Sequence, residues 1–198
     1  MKLRLTAVAA LVALAAGRHN VLNASAAMAC AYAAGAPLDV AARALSEFEA
    51  VKGRLKIHKL PAGRTLVDDT YNANPDSVRA AIDVLVSLTA PTALILGDMA
   101  EVGEQGPQMH IEVGQYAQQC GVDYLWAMGE ATKDSVAAFG ANAKWFESPE
   151  AICQQIDSVQ PMSLLVKGSR FMAMEQVVER CLETASITRT TEEASHAS

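Results

Sequence analysis

The sequence has little of what metal, redox and nucleic-acid chemistry requires. Its four cysteines, at 30, 120, 153 and 181, include no C-x-x-C pair. That spacing provides no zinc ligand set and no redox pair, and a chain this apolar has no use for a disulfide framework. The four histidines, at 19, 58, 110 and 196, form no H-x-x-x-H pair, so a site of soft metal ligands is not expected. Aromatic residues make up only 5% and charged residues 19%. Sixteen basic against twenty-two acidic side chains leave a net charge of −6, which gives no electrostatic footprint for nucleic acid or an anionic membrane. The apolar stretch Thr6–Ala16 is shorter than the roughly 20 residues of a membrane-spanning helix.

What the sequence does have is small apolar side chains. Of 198 residues 51% are hydrophobic; 37 are alanine, 18 of them in the first 50 positions. Such filler suits close helix packing, and the apolar content argues against general disorder. The length fits one full domain and a piece of a second, at roughly 100–200 residues per domain. Met1-Lys-Leu-Arg followed by Thr6–Ala16 imitates a secretory signal, with two positive charges, an apolar run and small residues after it. An Ala-rich helix packed on the rest of the protein would read the same way.

From Asn20 to Ala50 the pattern predicts two helices broken at Gly35-Ala-Pro37, the second starting near Asp39 as N-cap. Leu55–Leu60 alternates like a strand and Pro61-Ala-Gly63 turns it. A domain boundary is expected near residue 53. Beyond it, strands are expected at Arg64–Asp69, Thr92–Leu96, Tyr124–Ala127, Lys144–Phe146 and Ser163–Val166. Helices are expected near 76–88, 108–120, 130–139, 149–159 and 170–184. Short apolar strands alternating with amphipathic helices predict an α/β fold, a doubly wound and mostly parallel sheet with helices on both faces. The Thr-, Ser- and Glu-rich tail, 186–198, is expected to be disordered.

Ligands of an open parallel sheet sit outside the carboxyl ends of its strands. Those ends carry Asp68-Asp69-Thr-Tyr-Asn-Ala-Asn74, Gly97-Asp98-Met-Ala-Glu101, Gly129-Glu130 and Lys167-Gly-Ser-Arg170. Turn chemistry accounts for some of these residues: Asn72 and Asn74 could shape the turn before Pro75, and Asp76 could cap a helix. Lys167-Gly-Ser-Arg170 places two cations and a hydroxyl between a buried strand and a helix N-terminus, a constellation that fits a carboxylate or phosphate. Gly17-Arg-His-Asn20, with Asn23, could read a nucleobase edge through amide donors and acceptors; Asn20 could equally cap the Ala-rich helix.

Taken in order, Gly17-Arg-His-Asn-Val-Leu-Asn-Ala-Ser-Ala-Ala27, Gly53-Arg54, Val67-Asp-Asp-Thr-Tyr-Asn-Ala-Asn-Pro75, Leu96-Gly-Asp-Met-Ala-Glu-Val-Gly103 and Leu165-Val-Lys-Gly-Ser-Arg170 resemble the Mur ligases of peptidoglycan synthesis. The resemblance covers about residues 17 to 184. The Tyr-Asn-Ala-Asn and Gly-Asp-Met-Ala-Glu segments are similar to the branch that adds D-alanyl-D-alanine to UDP-N-acetylmuramoyl-tripeptide.

The resemblance implies an ATP-driven amide bond. ATP phosphorylates the peptide carboxylate, Mg2+ neutralises phosphate oxygens, and the amine of D-alanyl-D-alanine displaces phosphate. By motif it implies nucleotide contacts at His19, Asn20 and Asn23, ATP phosphates at Arg54 and ribose hydroxyls at Asp69. It implies that Lys167, Ser169 and Arg170 hold the dipeptide carboxylate, with Asn72 and Asn74 lining the site. No catalytic residue and no metal ligand is assigned within this chain. A cytoplasmic protein is implied, a monomer without nucleic-acid partner or membrane insertion.

The sequence also departs from the family pattern. No Gly-Lys-Ser or Gly-Lys-Thr of a phosphate loop occurs, and the metal-binding acid, the carboxylated lysine of the sister enzymes and the UDP-sugar domain have no counterpart. The expectation is therefore a fragment: residues 1–53 as a helical remnant of the central ATP-binding domain, 54–185 as the Rossmann-like C-terminal domain. Such a fragment would not ligate alone, since positioning of ATP dominates phosphoryl transfer. Two other readings are open, a signalling receiver-like phospho-acceptor built on Asp68, Asp69, Asp98 and Lys167, and an exported binding module. Replacing Lys167 is expected to weaken dipeptide binding and leave the fold intact.

Overall fold

The computed structural model describes residues 18–47, 52–100 and 102–196, without the side chains of 18–22 and 188–196. Residues 1–16, the signal-like stretch, lie outside them. The chain divides into two compact units between Ala50 and Val51.

The first unit holds helices α1 (Arg18–Ala33) and α2 (Leu38–Ser46). Gly35 ends α1 at φ +90°, a conformation open to glycine at no steric cost, and the Ala36 N–H donates back to the Ala31 carbonyl at 2.9 Å. Two expectations about caps change. Pro37 holds the cap position of α2 with no side-chain hydrogen bond, so Asp39 lies within the first turn, where it faces the positive end of the helix dipole. Asn20 lies inside α1 rather than ahead of it.

The second unit is built on a six-stranded sheet of order β1-β2-β6-β3-β4-β5. Its strands are β1 (Lys56–Lys59), β2 (Thr65–Asp69), β3 (Thr92–Gly97), β4 (Tyr124–Met128), β5 (Ala143–Trp145) and β6 (Ser163–Lys167). Only β1 runs antiparallel, against β2. The central strands are apolar on both faces because both are covered by helices. Val67, Leu94, Leu96, Leu125 and Leu165 face helices α3 (Pro75–Val86), α4 (Gly106–Gln119) and α5 (Thr132–Phe139). Their neighbours Leu66, Ile95, Trp126, Leu164 and Val166 face α6 (Pro149–Val159) and α7 (Glu175–His196). The period of two along each strand builds both cores at once. The edge strands carry Lys56, Lys59 and Lys144 exposed, charges that discourage edge-to-edge pairing.

Two details fix the helices over the carboxyl edge. Asn74 caps α3: its side chain accepts from the Ser77 N–H, and the Ser77 hydroxyl accepts from the Asn74 N–H. The cap is thus Asn74 and not Asp76, which stands in the first turn with its carboxylate 3.3 Å from Arg79. Gly114 lets α4 and α5 close on one another, since a Cβ there would meet the Ser135 carbonyl oxygen at 2.3 Å. The last helix continues to His196, through the stretch expected to be disordered from Ser186. No Gly or Pro interrupts it after Glu175, and its Glu and Ala residues favour helix.

Candidate functional site

The sheet reverses its winding where β6 enters between β2 and β3, and a crevice at such a switch point is where ligands of open α/β sheets bind. Three loops meet there, following β2, β3 and β6. Register sets the first contact. Asp69 and Lys167 are directly paired across β2 and β6, and the Lys167 ammonium donates to Asp69 Oδ2 at 2.5 Å and to the Asn72 carbonyl at 2.9 Å. The Lys167 side chain is 2% exposed and that of Asp69 14%. An ammonium has three N–H donors; these bonds use two. Asp69 Oδ1 accepts from the Leu55 N–H at 3.1 Å.

Asp68, buried beside this pair, organises the loop. Its Oδ1 accepts from the N–H and hydroxyl of Thr70, and its Oδ2 accepts from the Gly53 N–H at 3.2 Å. The Tyr71 N–H returns to the Gly53 carbonyl at 2.9 Å. Gly53 stands at φ +77°, and a Cβ would lie 2.9 Å from the Tyr71 nitrogen, so only glycine fits this approach. The Arg54 guanidinium then lies 4.3 Å over the Tyr71 ring, a cation–π pair at the rim.

Ser169 joins all three loops. Its hydroxyl accepts from the Ala100 N–H at 2.5 Å and donates to the Ala73 carbonyl at 3.4 Å, while its own N–H donates to the Asp98 carbonyl at 3.0 Å. Asp98 in turn accepts from the Thr132 N–H at the start of α5, at 2.9 Å. A Cβ at Gly129 would fall 2.3 Å from Asp98 Oδ1, so Asp98 is packed against its neighbours rather than presented outward as a phospho-acceptor would be. The buried His110 holds the β3 loop from beneath: Nε2 accepts from the Met99 N–H at 3.1 Å, and Nδ1 lies 2.8 Å from the Gly106 carbonyl. These partners assign the proton to Nδ1. Sequence reasoning missed His110, because a lone helical histidine carries no spacing signal.

The expected residues separate into distinct environments. Asn72 is exposed and closes its own turn, Oδ1 accepting from the Ala73 N–H at 2.9 Å. Asn74 is exposed and committed to the α3 cap. Lys167 and Ser169 are buried struts, whereas Arg170 is 68% exposed and pairs with Glu175 at 2.9 Å. The expectation that Lys167 can be removed without cost to the fold does not fit this burial, because its loss strands a carboxylate and a carbonyl. Of the nucleotide-side residues, Arg54 and Asp69 share this edge. Asn23 is exposed on α1 in the first unit, and the side chains of His19 and Asn20 lie outside the described residues. No group of three or more His, Cys, Asp or Glu that could hold a metal occurs among the described residues.

Comparison with known proteins bears on the family and the fold. The family described as Mur ligase, glutamate ligase domain, matches residues 53–170. The UDP-N-acetylmuramoyl-tripeptide–D-alanyl-D-alanine ligase of Escherichia coli is 36% identical over 173 residues, 86% of this chain and 38% of that protein. The enzyme of the same name from Haemophilus influenzae is 38% identical over 170 residues, 82% of this chain and 37% of its own length. Among solved structures, MurF from Acinetobacter baumannii superposes with a TM-score of 0.75 at 34% identity, covering 84% of this chain and 38% of that one. MurF from Thermotoga maritima in complex with ADP shares the fold, with a TM-score of 0.76 at 22% identity over 87% of this chain and 40% of that one. The chain spans under two fifths of the length of these curated relatives. With five ordered motifs, a switch-point crevice and a family match over most of the sheet-bearing unit, the chain belongs to the Mur ligase family.

Proposed function

We propose that this chain is the C-terminal part of an ATP-dependent amide ligase that joins D-alanyl-D-alanine to UDP-N-acetylmuramoyl-tripeptide in peptidoglycan precursor synthesis, and that the carboxyl edge of its sheet receives the dipeptide. The observation that carries this reading is the buried Lys167–Asp69 pair at the switch point, with Arg170 three residues further along the same motif. Lys167 keeps one N–H in reserve at a buried position, where a charge-assisted bond to a carboxylate is strong. Arg170 spends one donor on Glu175 and has others left for an incoming carboxylate. Ser169 fixes the loop between them. Asn72 and Asn74 shape the wall through backbone geometry.

The role of this edge is positioning. It would hold the anionic end of the amine donor so that its amino group meets the activated carboxyl, the kind of orientation from which much ligase rate enhancement comes. Arg54, stacked on Tyr71, would meet nucleotide phosphates, and Asp69 has lone pairs left for a ribose hydroxyl. His19, Asn20 and Asn23 are proposed on the adenine side by motif alone. ATP supplies the phosphoryl group that activates the carboxyl. Mg2+ would neutralise phosphate oxygens of the bound nucleotide. We further propose a cytoplasmic, monomeric protein without nucleic-acid partner; among the described residues no helix is long and apolar enough to cross a membrane.

Titration calorimetry with D-alanyl-D-alanine and with its C-terminal amide tests the carboxylate assignment. Binding of the acid and at least tenfold weaker binding of the amide are expected. Equal binding of both would overturn it. Alone, the chain is expected to release no phosphate from ATP in response to the two substrates.

A further inference from the structure

The connection from β6 to α7 is short and held from several sides. After Ser169 the chain makes one tight turn, Arg170–Met172. In it the Met172 N–H donates to the Ser169 carbonyl at 2.9 Å and the Ala173 N–H to the Arg170 carbonyl at 3.3 Å. Ala173 stands at φ +48°, a left-handed conformation that costs a non-glycine residue free energy and persists only where its surroundings enforce it. The next residue supplies the anchor. Met174 is fully buried in the space that Gly97 and Gly168 leave open, where a Cβ would lie 2.9 and 2.6 Å from its side chain. This turn brings Glu175, the first residue of α7, back to Arg170, whose Nη1 donates to Glu175 Oε1 at 2.9 Å.

The two ends of this pair are unequal. Arg170 is mostly exposed, whereas the Glu175 side chain is 18% exposed and its second oxygen, Oε2, is buried without a hydrogen-bond partner. A buried acceptor left unpaired costs free energy and calls for an explanation. The partial positive charge at the start of α7 offsets part of that cost, but packing alone does not ask for a carboxylate here. We propose that Glu175 is a positioning residue for the carboxylate site: it acts through Arg170, fixing the guanidinium so that its remaining N–H donors stand as a ready fork for the dipeptide carboxylate. A guanidinium has five N–H donors in one plane, and the bond to Glu175 uses one. Fixing that plane before the ligand arrives removes part of the side-chain entropy that binding would otherwise cost. The opposing effect is repulsion between Glu175 and the incoming anion. A support raises affinity and a competitor lowers it, so the sign of a substitution decides between them. Glu175 is the less exposed partner, seated at the start of a helix behind a buried anchor, and it therefore holds the guanidinium. This inference rests on the ligase reading in one respect, that the carboxyl edge receives the dipeptide.

Calorimetry of the whole chain with D-alanyl-D-alanine, run as a double-mutant cycle, tests it. Glu175→Gln keeps the shape and removes the charge, and should weaken binding about fivefold to tenfold. In an Arg170→Ala background the same substitution should change affinity by less than about twofold, because the support has nothing left to hold. Glu179→Gln, which removes an equal charge from the same helix where it pairs with Lys52, should leave affinity as it is. A second measurement needs neither variant nor ligand: in NMR of the labelled parent chain the Arg170 side-chain N–H should already be ordered and slow to exchange. Equal or tighter binding by Glu175→Gln, the same loss in both backgrounds, or an averaged and rapidly exchanging Arg170 signal would overturn this inference and leave the carboxylate site standing. Absence of dipeptide binding by the parent chain would instead remove the ligase reading, and this inference with it.

Discussion

Lys167 and Arg170 belong to one short motif and carry the same charge, yet the fold gives them opposite surroundings. Lys167 ends a strand buried on both faces, is 2% exposed, and is held by a carboxylate and a carbonyl. Arg170 starts the turn beyond, is 68% exposed, and meets a single carboxylate, that of the less exposed Glu175. The first is part of the architecture of the crevice; the second turns most of its guanidinium to solvent. Two cations in a sequence motif are thus not two equal ligands. One sets the position of the loops, and the other is available to whatever enters.

Substitutions can break this contrast. Lys167→Ala should have the largest effect, destabilising the chain by about 3–5 kcal/mol in chemical denaturation, because it leaves Asp69 as an uncompensated, mostly buried charge. Adding Asp69→Asn should recover part of that loss, which separates the cost of the stranded charge from the cost of the lost lysine. Ser169→Ala should cost about 1–3 kcal/mol, since the Ala100 N–H loses its acceptor. Asn74→Ala should cost about 1 kcal/mol by removing the α3 cap. Arg170→Ala should cost about 1 kcal/mol, because the less exposed Glu175 loses its ion-pair partner, while weakening dipeptide binding in calorimetry. If Arg170→Ala destabilised as much as Lys167→Ala, the contrast would fail.

A gentler version of the same contrast concerns His58, half-buried on β1 with Nε2 lacking a partner. Burial pushes its imidazole below the usual histidine range. The unfolded chain therefore takes up the proton first as pH falls through about 6.5, and stability should drop below that point. Thermal melts at pH 7.5 and 5.5 should show a smaller loss in His58→Gln than in the parent chain.

Much of the fold was readable because it rests on local pattern. The apolar runs Thr92–Leu96 and Ser163–Val166 announce buried strands, and α6 begins and ends where Ser148, Pro149 and the residues after Val159 suggest. The candidate loops were readable as a set, because strand ends of a parallel sheet share one edge. Their internal wiring was not. That β6 inserts between β2 and β3 is a long-range choice, and only that choice puts Lys167 opposite Asp69. The role of Asn74 turned on whether its side chain bonds Ser77 or faces a ligand, which residue type does not decide. His110 was invisible because a lone histidine on a helix matches no spacing rule, and its bond to the Met99 N–H depends on how the β3 loop folds back.

The most direct test is an amide-resolved NMR titration of the whole labelled chain with D-alanyl-D-alanine. The account predicts shifts confined to the three loops around β6, at Asn72–Asn74, Asp98–Ala100 and Gly168–Phe171, with none along β1 or β5 and none from L-alanyl-L-alanine. Saturable shifts centred on the edge strands, or no shifts at millimolar dipeptide, would contradict it.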